Sequence, residues 1–131
     1  MSIDPTQFTP NQAWLLFQLN DHPMRVAAEG DFNAVCMMDM NSGMILGMEL
    51  IPASELALPE FSARKLLTSA QGKAGARPEF LYIAAEQAAD DLVRQATAMG
   101  ITVRREPAKA LAPITREARE GFSAHLRGES S

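Results

Sequence analysis

Apolar and polar positions alternate along this chain in blocks that change period, and the blocks predict its elements. After a polar, proline-bearing start over residues 1–10, the stretch NQAWLLFQLN (11–20) carries Trp14, Leu15, Phe17 and Leu19. With Asn11 as an N-cap and His22-Pro23 as a stop, it predicts a short opening helix. MRVAA (24–28) predicts a short strand, EGDFN a turn, and AVCMMDMNSGMILGMEL (34–50) two longer strands around Asn41-Ser42-Gly43. Glycine supplies the positive φ that such a hairpin needs. In the first of these two runs Val35, Met37 and Asp39 share one face and Cys36, Met38 and Met40 the other, so both faces are largely apolar. A strand of that kind is covered on both sides.

The later chain supplies the cover. Pro52 ends the hairpin, and Ser54 or Pro59 starts a helix in which Ala63, Leu66, Leu67 and Ala70 form one stripe. QGKAGARP reads as a loop and EFLYIA (79–84) as a buried strand. AEQAADDLVRQATAMG reads as a helix with Ala85, Ala88, Ala89, Leu92, Ala96 and Met99 inward and Gly100 at its C-terminal end. ITVRR is a further strand, and a last helix runs from about Lys109 to Arg127 with Leu111, Ile114, Ala118 and Phe122 inward. The expected fold class is α/β: an opening helix, then β-β-β-α-β-α-β-α, a mixed sheet with helices on both faces. One domain is expected over residues 1–131, with 1–10 and 128–131 flexible.

That order resembles the ribonuclease H-like fold of integrases, transposases and Holliday-junction resolvases. MDMNSGMILGMEL is similar to the second hairpin of an integrase core, and RPEFLYIAAEQAADDLVRQATAMGITV to its central strand and following helix. The same two phrases also resemble a group of bacterial domains of unknown function, which implies no activity. Enzymes of the ribonuclease H-like class use carboxylates that converge on divalent ions. The resemblance places one mid-way along the first strand, one at the end of the fourth and one on the final helix. MRVAA, taken as the first strand, has no acid; the fourth ends in Ala84-Ala85 with Glu86 two residues late; Glu117 or Glu120 is available on the last helix. In that register the catalytic set is missing. In a second register AVCMMD is the first strand, Asp39 is a metal ligand, and Glu49 or Asp90 are its companions with Mg²⁺ or Mn²⁺. Against it stands the ordinary role of Asp and Asn ahead of a turn glycine, where their side chains bond nearby backbone amides.

Composition narrows the function classes. A net charge of −4 speaks against a general polyanion binder. Residues 1–60 carry eight acids and one base, Arg25, while 61–131 carry eleven bases and eight acids, an asymmetry that suits contact between halves or between copies. No run is long and apolar enough for a membrane span and the start is unlike a signal peptide, so a cytoplasmic protein is expected. The one cysteine, Cys36, lies in an apolar run and is expected buried and unreactive.

Other motifs read as ordinary surface or connection. His22 and His125 have no partners at zinc-ligand spacing. Ser42 and Ser54 lack a nucleophile-elbow context. Residues 72–77, GKAGAR, lack the strand and the Lys-Ser/Thr of a phosphate loop. Asp90 and Asp91 point about 100° apart on a helix. The Arg104, Arg105, Lys109 and Arg116 cluster has only Phe122 near it, and that ring belongs to the core stripe. Eight methionines suit either an irregular core or an adaptable contact surface. The sequence thus favours a non-catalytic interaction or accessory domain without cofactor, forming a homodimer or binding a protein through Met38 and Met48. A divalent-metal-dependent nuclease or phosphotransfer enzyme using Asp39 and Glu49 is the alternative, and a small-molecule-binding domain a third.

Overall fold

The computed structural model describes residues 4–20, 24–26, 30–55 and 57–126. Six strands and three helices follow a 3-10 turn at Pro5–Gln7: β1 (Ala13–Gln18), β2 (Met24–Val26), β3 (Gly30–Asp39), β4 (Ile45–Pro52), α1 (Glu60–Ala74), β5 (Phe80–Ala84), α2 (Asp90–Ala98), β6 (Thr102–Glu106) and α3 (Ala108–Leu126). Phe32 of β3 pairs with Met24 of β2 on one side and with Pro52 of β4 on the other. The sheet therefore runs β4-β3-β1-β5-β6, with short β2 extending the β1 side of β3. β3 is antiparallel to β1 and β4, whereas β1, β5 and β6 are mutually parallel. The ribonuclease H-like order expected from the sequence is present.

Its first strand is not where the hydrophobic pattern put it. NQAWLLFQLN is strand, not helix: Ala13 through Phe17 are all buried because β1 is the central strand, with α1 and α2 on one face and α3 on the other. A continuous apolar run has no period with which to separate a two-sided strand from a buried helix. Asn11 caps nothing; it turns the chain into β1 with φ 64, a left-handed corner that Asn tolerates. MRVAA contributes only β2, a three-residue extension, and its last two residues lie outside the described ones, as does the His22-Pro23 stop.

Alternation within β3 is as the sequence implies. Trp14, Leu16, Val35 and Met37 pack with Leu66, Leu67 and Ala70 of α1 and Leu92 and Ala96 of α2. Leu15, Phe17, Cys36, Met38 and Met40 pack with Tyr82 and with Leu111 and Ile114 of α3. The α1 stripe of Ala63, Leu66, Leu67 and Ala70 is buried as expected, and the helix starts after Pro59. It continues through Ala74, into the expected loop, and ends on Gly75 with φ 78. Its close approach to β4 depends on Gly47, where an added Cβ would lie 3.3 Å from Ser69 Oγ and 3.5 Å from Leu66 Cδ2. Ser69 Oγ donates to the Leu46 carbonyl at 3.1 Å, which fixes the helix on the strand.

α2 begins five residues later than the alanine pattern suggests. Ala85 and Ala88 lie in the turn that follows β5, and only Ala89, Leu92 and Ala96 of the stripe are buried. α3 matches its expected span and contains Pro113; the Arg127 end and residues 128–131 lie outside the described residues. No helix among the described residues is long and apolar enough to cross a membrane.

Candidate functional site

In an open sheet with parallel strands, ligands collect in the crevice beyond the strands' C-terminal ends, where neighbouring connections diverge. Here that crevice lies beyond β1 and β5, a cleft of ≈ 260 Å³. Phe17, Ala84 and Leu111 give it an apolar wall, and Gln18, Glu86, Gln87, Thr115 and Arg119 bring polar groups to it. A second hollow of ≈ 160 Å³ shares Gln18, Glu86 and Gln87. The strand end and the loop after β5 thus form one continuous polar lip.

Each polar group has a geometric reason for its place. Gln18 closes β1 and donates through Nε2 to the Asn20 carbonyl at 2.7 Å. Asn20 is buried, accepts from the Ala34 amide at 2.8 Å and donates to Asn33 Oδ1 at 2.9 Å, holding the chain against β3 as it leaves β1. Glu86 Oε1 accepts from the Ala108 amide at 2.9 Å, which caps α3 and sets a negative charge at that helix's positive end. Thr115 and Arg119 follow Leu111 at four-residue intervals, so one stripe of α3 faces the strand ends. The Thr115 residue is only 7% exposed. Arg119 Nε donates to the Leu19 carbonyl at 3.4 Å. Arg105 Nη1 donates to the Gln87 carbonyl at 2.7 Å and pins the loop from the β6 side.

The residues singled out from sequence lie elsewhere. Asp39 is 4% exposed at the far end of β3, opposite Trp14 at the start of β1. Its Oδ1 accepts from the Asn11 amide at 2.9 Å; its Oδ2 accepts from the Ser42 amide at 2.9 Å and Ser42 Oγ at 2.7 Å. Asn11 in turn accepts from the Trp14 indole at 2.6 Å. Asp39 is therefore the knot joining the hairpin turn to the corner before β1. Glu49 lies opposite Val35, four residues along β3 from Asp39, roughly 13 Å at strand spacing. It pairs with Lys65 of α1 at 3.5 Å. Asp90 is solvent-exposed at the start of α2, with Arg105 at 3.9 Å. The three acids do not converge.

At the ribonuclease H-like positions acids are sparse: Glu86 follows β5 and lines the cleft, and Glu120 on α3 is exposed and outside it. β1, the true first strand, reads AWLLFQ, so neither register considered from the sequence held its first position. On α3, Glu117 borders a groove of ≈ 280 Å³ with Met38, Ser42 and Ile45, away from the cleft, and Thr115 and Arg119 stand where an acid would face the strand ends. Among the described residues no three His, Cys, Asp or Glu side chains group to hold a metal. Among the described residues of the cleft, amides, a hydroxyl and a guanidinium surround one carboxylate, a donor set that does not suit a divalent cation, which the guanidinium repels. Of the two expected contact methionines, Met38 is corrected to a core residue, 1% exposed beneath α3, whereas Met48 is 47% exposed.

Gln18, Asn20, Thr115 and Arg119 are not evident as a group in the sequence, because the strand that ends at Gln18 has the pattern of a helix. Polar amides directly after a two-sided apolar run are the signal that points to the first two.

No family model matches the chain, and no curated protein does. Among solved structures it is similar to a chain of the simian T-cell lymphotropic virus intasome in complex with PP2A regulatory subunit B56 gamma. The TM-score is 0.61 at 14% identity over 86% of this chain and 38% of that one. It is more weakly similar to the HTLV-2 integrase catalytic core domain in complex with magnesium, with TM-score 0.46 at 11% identity over 73% of this chain and 61% of that one. The chain spans less than two thirds of the length of either. The first likeness, together with the strand order, shows the ribonuclease H-like fold and nothing beyond the fold.

Proposed function

We propose that this chain is a non-catalytic interaction or accessory domain on a ribonuclease H-like scaffold. One observation carries the reading: among the described residues, the cleft beyond β1 and β5 is lined by Gln18, Thr115 and Arg119 with one acid, Glu86, which is engaged in capping α3, whereas enzymes of this class converge several carboxylates on their ions. Fold alone does not transmit activity, so the side chains at the crevice decide. A nuclease or phosphotransfer reading would require Asp39, Glu49 and Asp90 to act from three separate places.

Titration with Mg²⁺ or Mn²⁺ at millimolar concentration tests the proposal. A bound ion raises stability by RT ln(1 + [L]/Kd), about 2.7 kcal/mol at a hundred times Kd. The expected thermal midpoint is unchanged by either ion, and nucleic acid incubated with the protein and either ion stays intact. A reproducible upward shift removed by Glu86→Gln or Asp39→Asn, accompanied by cleavage, would establish the enzyme reading instead.

A further inference from the structure

The cleft beyond β1 and β5 contains a polar group that the fold has buried without giving it a bond. Thr115 is only 7% exposed, and among the described residues nothing bonds its hydroxyl. A helical threonine ordinarily returns that hydroxyl to the carbonyl three or four residues back, here Ala112 or Leu111. Thr115 does not. Among the described residues no side-chain nitrogen or oxygen is both sealed from solvent and unpaired, so Thr115 Oγ1 opens into the cleft that the residue lines. Leaving a largely buried hydroxyl unbonded within the chain is costly, and such a group marks a place where something from outside bonds.

Its neighbours in the cleft complete an uncharged set. Gln18 gives an amide hydrogen to the Asn20 carbonyl at 2.7 Å and keeps Oε1 unbonded. Gln87 is held by its backbone, whose amide donates to the Ala84 carbonyl at 2.9 Å and whose carbonyl accepts from Arg105 at 2.7 Å. Its carboxamide bonds nothing among the described residues. The charged groups are engaged instead: Glu86 Oε1 caps α3 at the Ala108 amide, and Arg119 Nε reaches the Leu19 carbonyl. An anion entering the cleft meets the Glu86 carboxylate and a cation meets the Arg119 guanidinium, so neither sign is favoured. What stays available is two carboxamides and a hydroxyl, groups that both donate and accept, beside the apolar wall of Phe17, Ala84 and Leu111.

We propose that this cleft binds a small neutral aromatic amide, either a ring carboxamide or the cyclic amide edge of a nucleobase. Such an edge presents an N–H and a C=O side by side, which a carboxamide matches as a pair and a hydroxyl matches singly. The flat ring lies on the apolar wall, in the usual division of a ligand site into apolar lining and a few convergent polar groups. Size agrees: ≈ 260 Å³ exceeds the about 150 Å³ that admits benzene and falls below the about 300 Å³ at which drug-sized pockets begin, so one substituted ring or a fused pair is held. The inference goes beyond the interaction-domain reading. A ligand bound and released unaltered leaves that reading in place, and cleavage of nucleic acid with a metal ion would refute that reading without touching this one.

Benzamide, benzoate and benzamidine share one shape and differ in charge, and hypoxanthine carries the amide edge in a fused ring. Titration of the full chain with each probe to millimolar concentration, followed by two-dimensional NMR, is the test. Benzamide and hypoxanthine should shift the side-chain amides of Gln18 and Gln87 and the backbone amide of Thr115 saturably, while benzoate and benzamidine bind at least about tenfold more weakly. The tighter of the two amides identifies carboxamide or nucleobase as the source. Thr115→Val keeps the shape and removes the unbonded hydroxyl; it should weaken both amides roughly fivefold without lowering the thermal midpoint, because no bond within the chain is lost. Ala112→Leu, which fills the cleft from α3, should abolish binding, and the same spectra show whether each variant folds. Absence of a saturable shift with either amide overturns the proposal. So do charged isosteres that bind as tightly as benzamide, shifts centred outside the cleft, or full affinity in Thr115→Val; a Thr115→Val chain that fails to fold overturns it too, since the hydroxyl would then serve the fold.

Discussion

Asp39 accepts three hydrogen bonds from two segments of the chain, the corner before β1 and the hairpin turn after β3. Asp39→Ala leaves the amides of Asn11 and Ser42 without their acceptor in a partly buried corner, and bonds to a charged acceptor are each worth about 1.5–3 kcal/mol. Denaturant unfolding should show a loss of about 3 kcal/mol. Gly43, at φ 76, has open space where a Cβ would stand, so its substitution costs backbone strain alone. Gly43→Val should cost roughly 1–3 kcal/mol through strain, and Ser42→Ala, which gives up the Oγ donation to Asp39 and the bond from the Met44 amide, a similar amount. An unchanged stability in Gly43→Val would show that the turn does not depend on the left-handed glycine. Cys36 carries the residue-scale pH dependence. Burial pushes its thiol from 9.0 up to about 12. The folded chain therefore keeps a proton that the unfolded chain gives up, so the contribution is intact below about pH 9 and is lost as pH rises toward 12. Between those values wild-type stability should fall more steeply than that of Cys36→Ala, by up to about 1.4 kcal/mol per pH unit at full effect. Parallel slopes in the two proteins would remove the thiol as the cause.

At the scale of elements, α1 against β4 is the contact with the least tolerance, because Gly47 lets the helix settle onto the strand. Gly47→Val has to displace Ser69 and Leu66, with the Ser69 bond to Leu46 lost as well, and should destabilise by about 2–3 kcal/mol. Gly72→Ala, on the open side of the same helix, should be neutral or slightly stabilising. Similar thermal midpoints for the two variants would contradict the close packing. Elements with a clear period were legible from sequence: the α1 stripe, the two faces of β3, β5 and β6, and most of α3. β1 was not, because a strand buried on both faces has no polar alternation, and Asn before an apolar run is as much a left-handed corner as a helix cap. The late start of α2 has a similar cause. Alanine favours helix wherever it stands, so Ala85 and Ala88 extended the apparent stripe into a turn that tertiary bonds hold open, with Gln87 bound to Ala84 and its carbonyl to Arg105. The cleft followed β1 out of view: once Gln18 is placed at the end of a helix, nothing in the sequence brings it to Thr115 and Arg119.

On the scale of the whole molecule, the sheet is two unlike halves joined at one strand. β1 meets β3 through a local, antiparallel partnership and β5 through a parallel one that brings Ala13 to Phe80 across the intervening hairpin and helix. Closing a long loop costs entropy before its contacts repay it, although that cost grows only slowly with length. The antiparallel half can assemble from neighbours in sequence; the parallel half has to wait until β1 presents a formed edge. Long-range pairing of this kind slows folding relative to local pairing. During that interval β1, made of Trp14, Leu15, Leu16 and Phe17, has an apolar flank with no mate. The central strand is thus both the most deeply buried part of the finished protein and the most adhesive part of the unfinished one, so the kinetic hazard of making this fold is lodged in its thermodynamic centre.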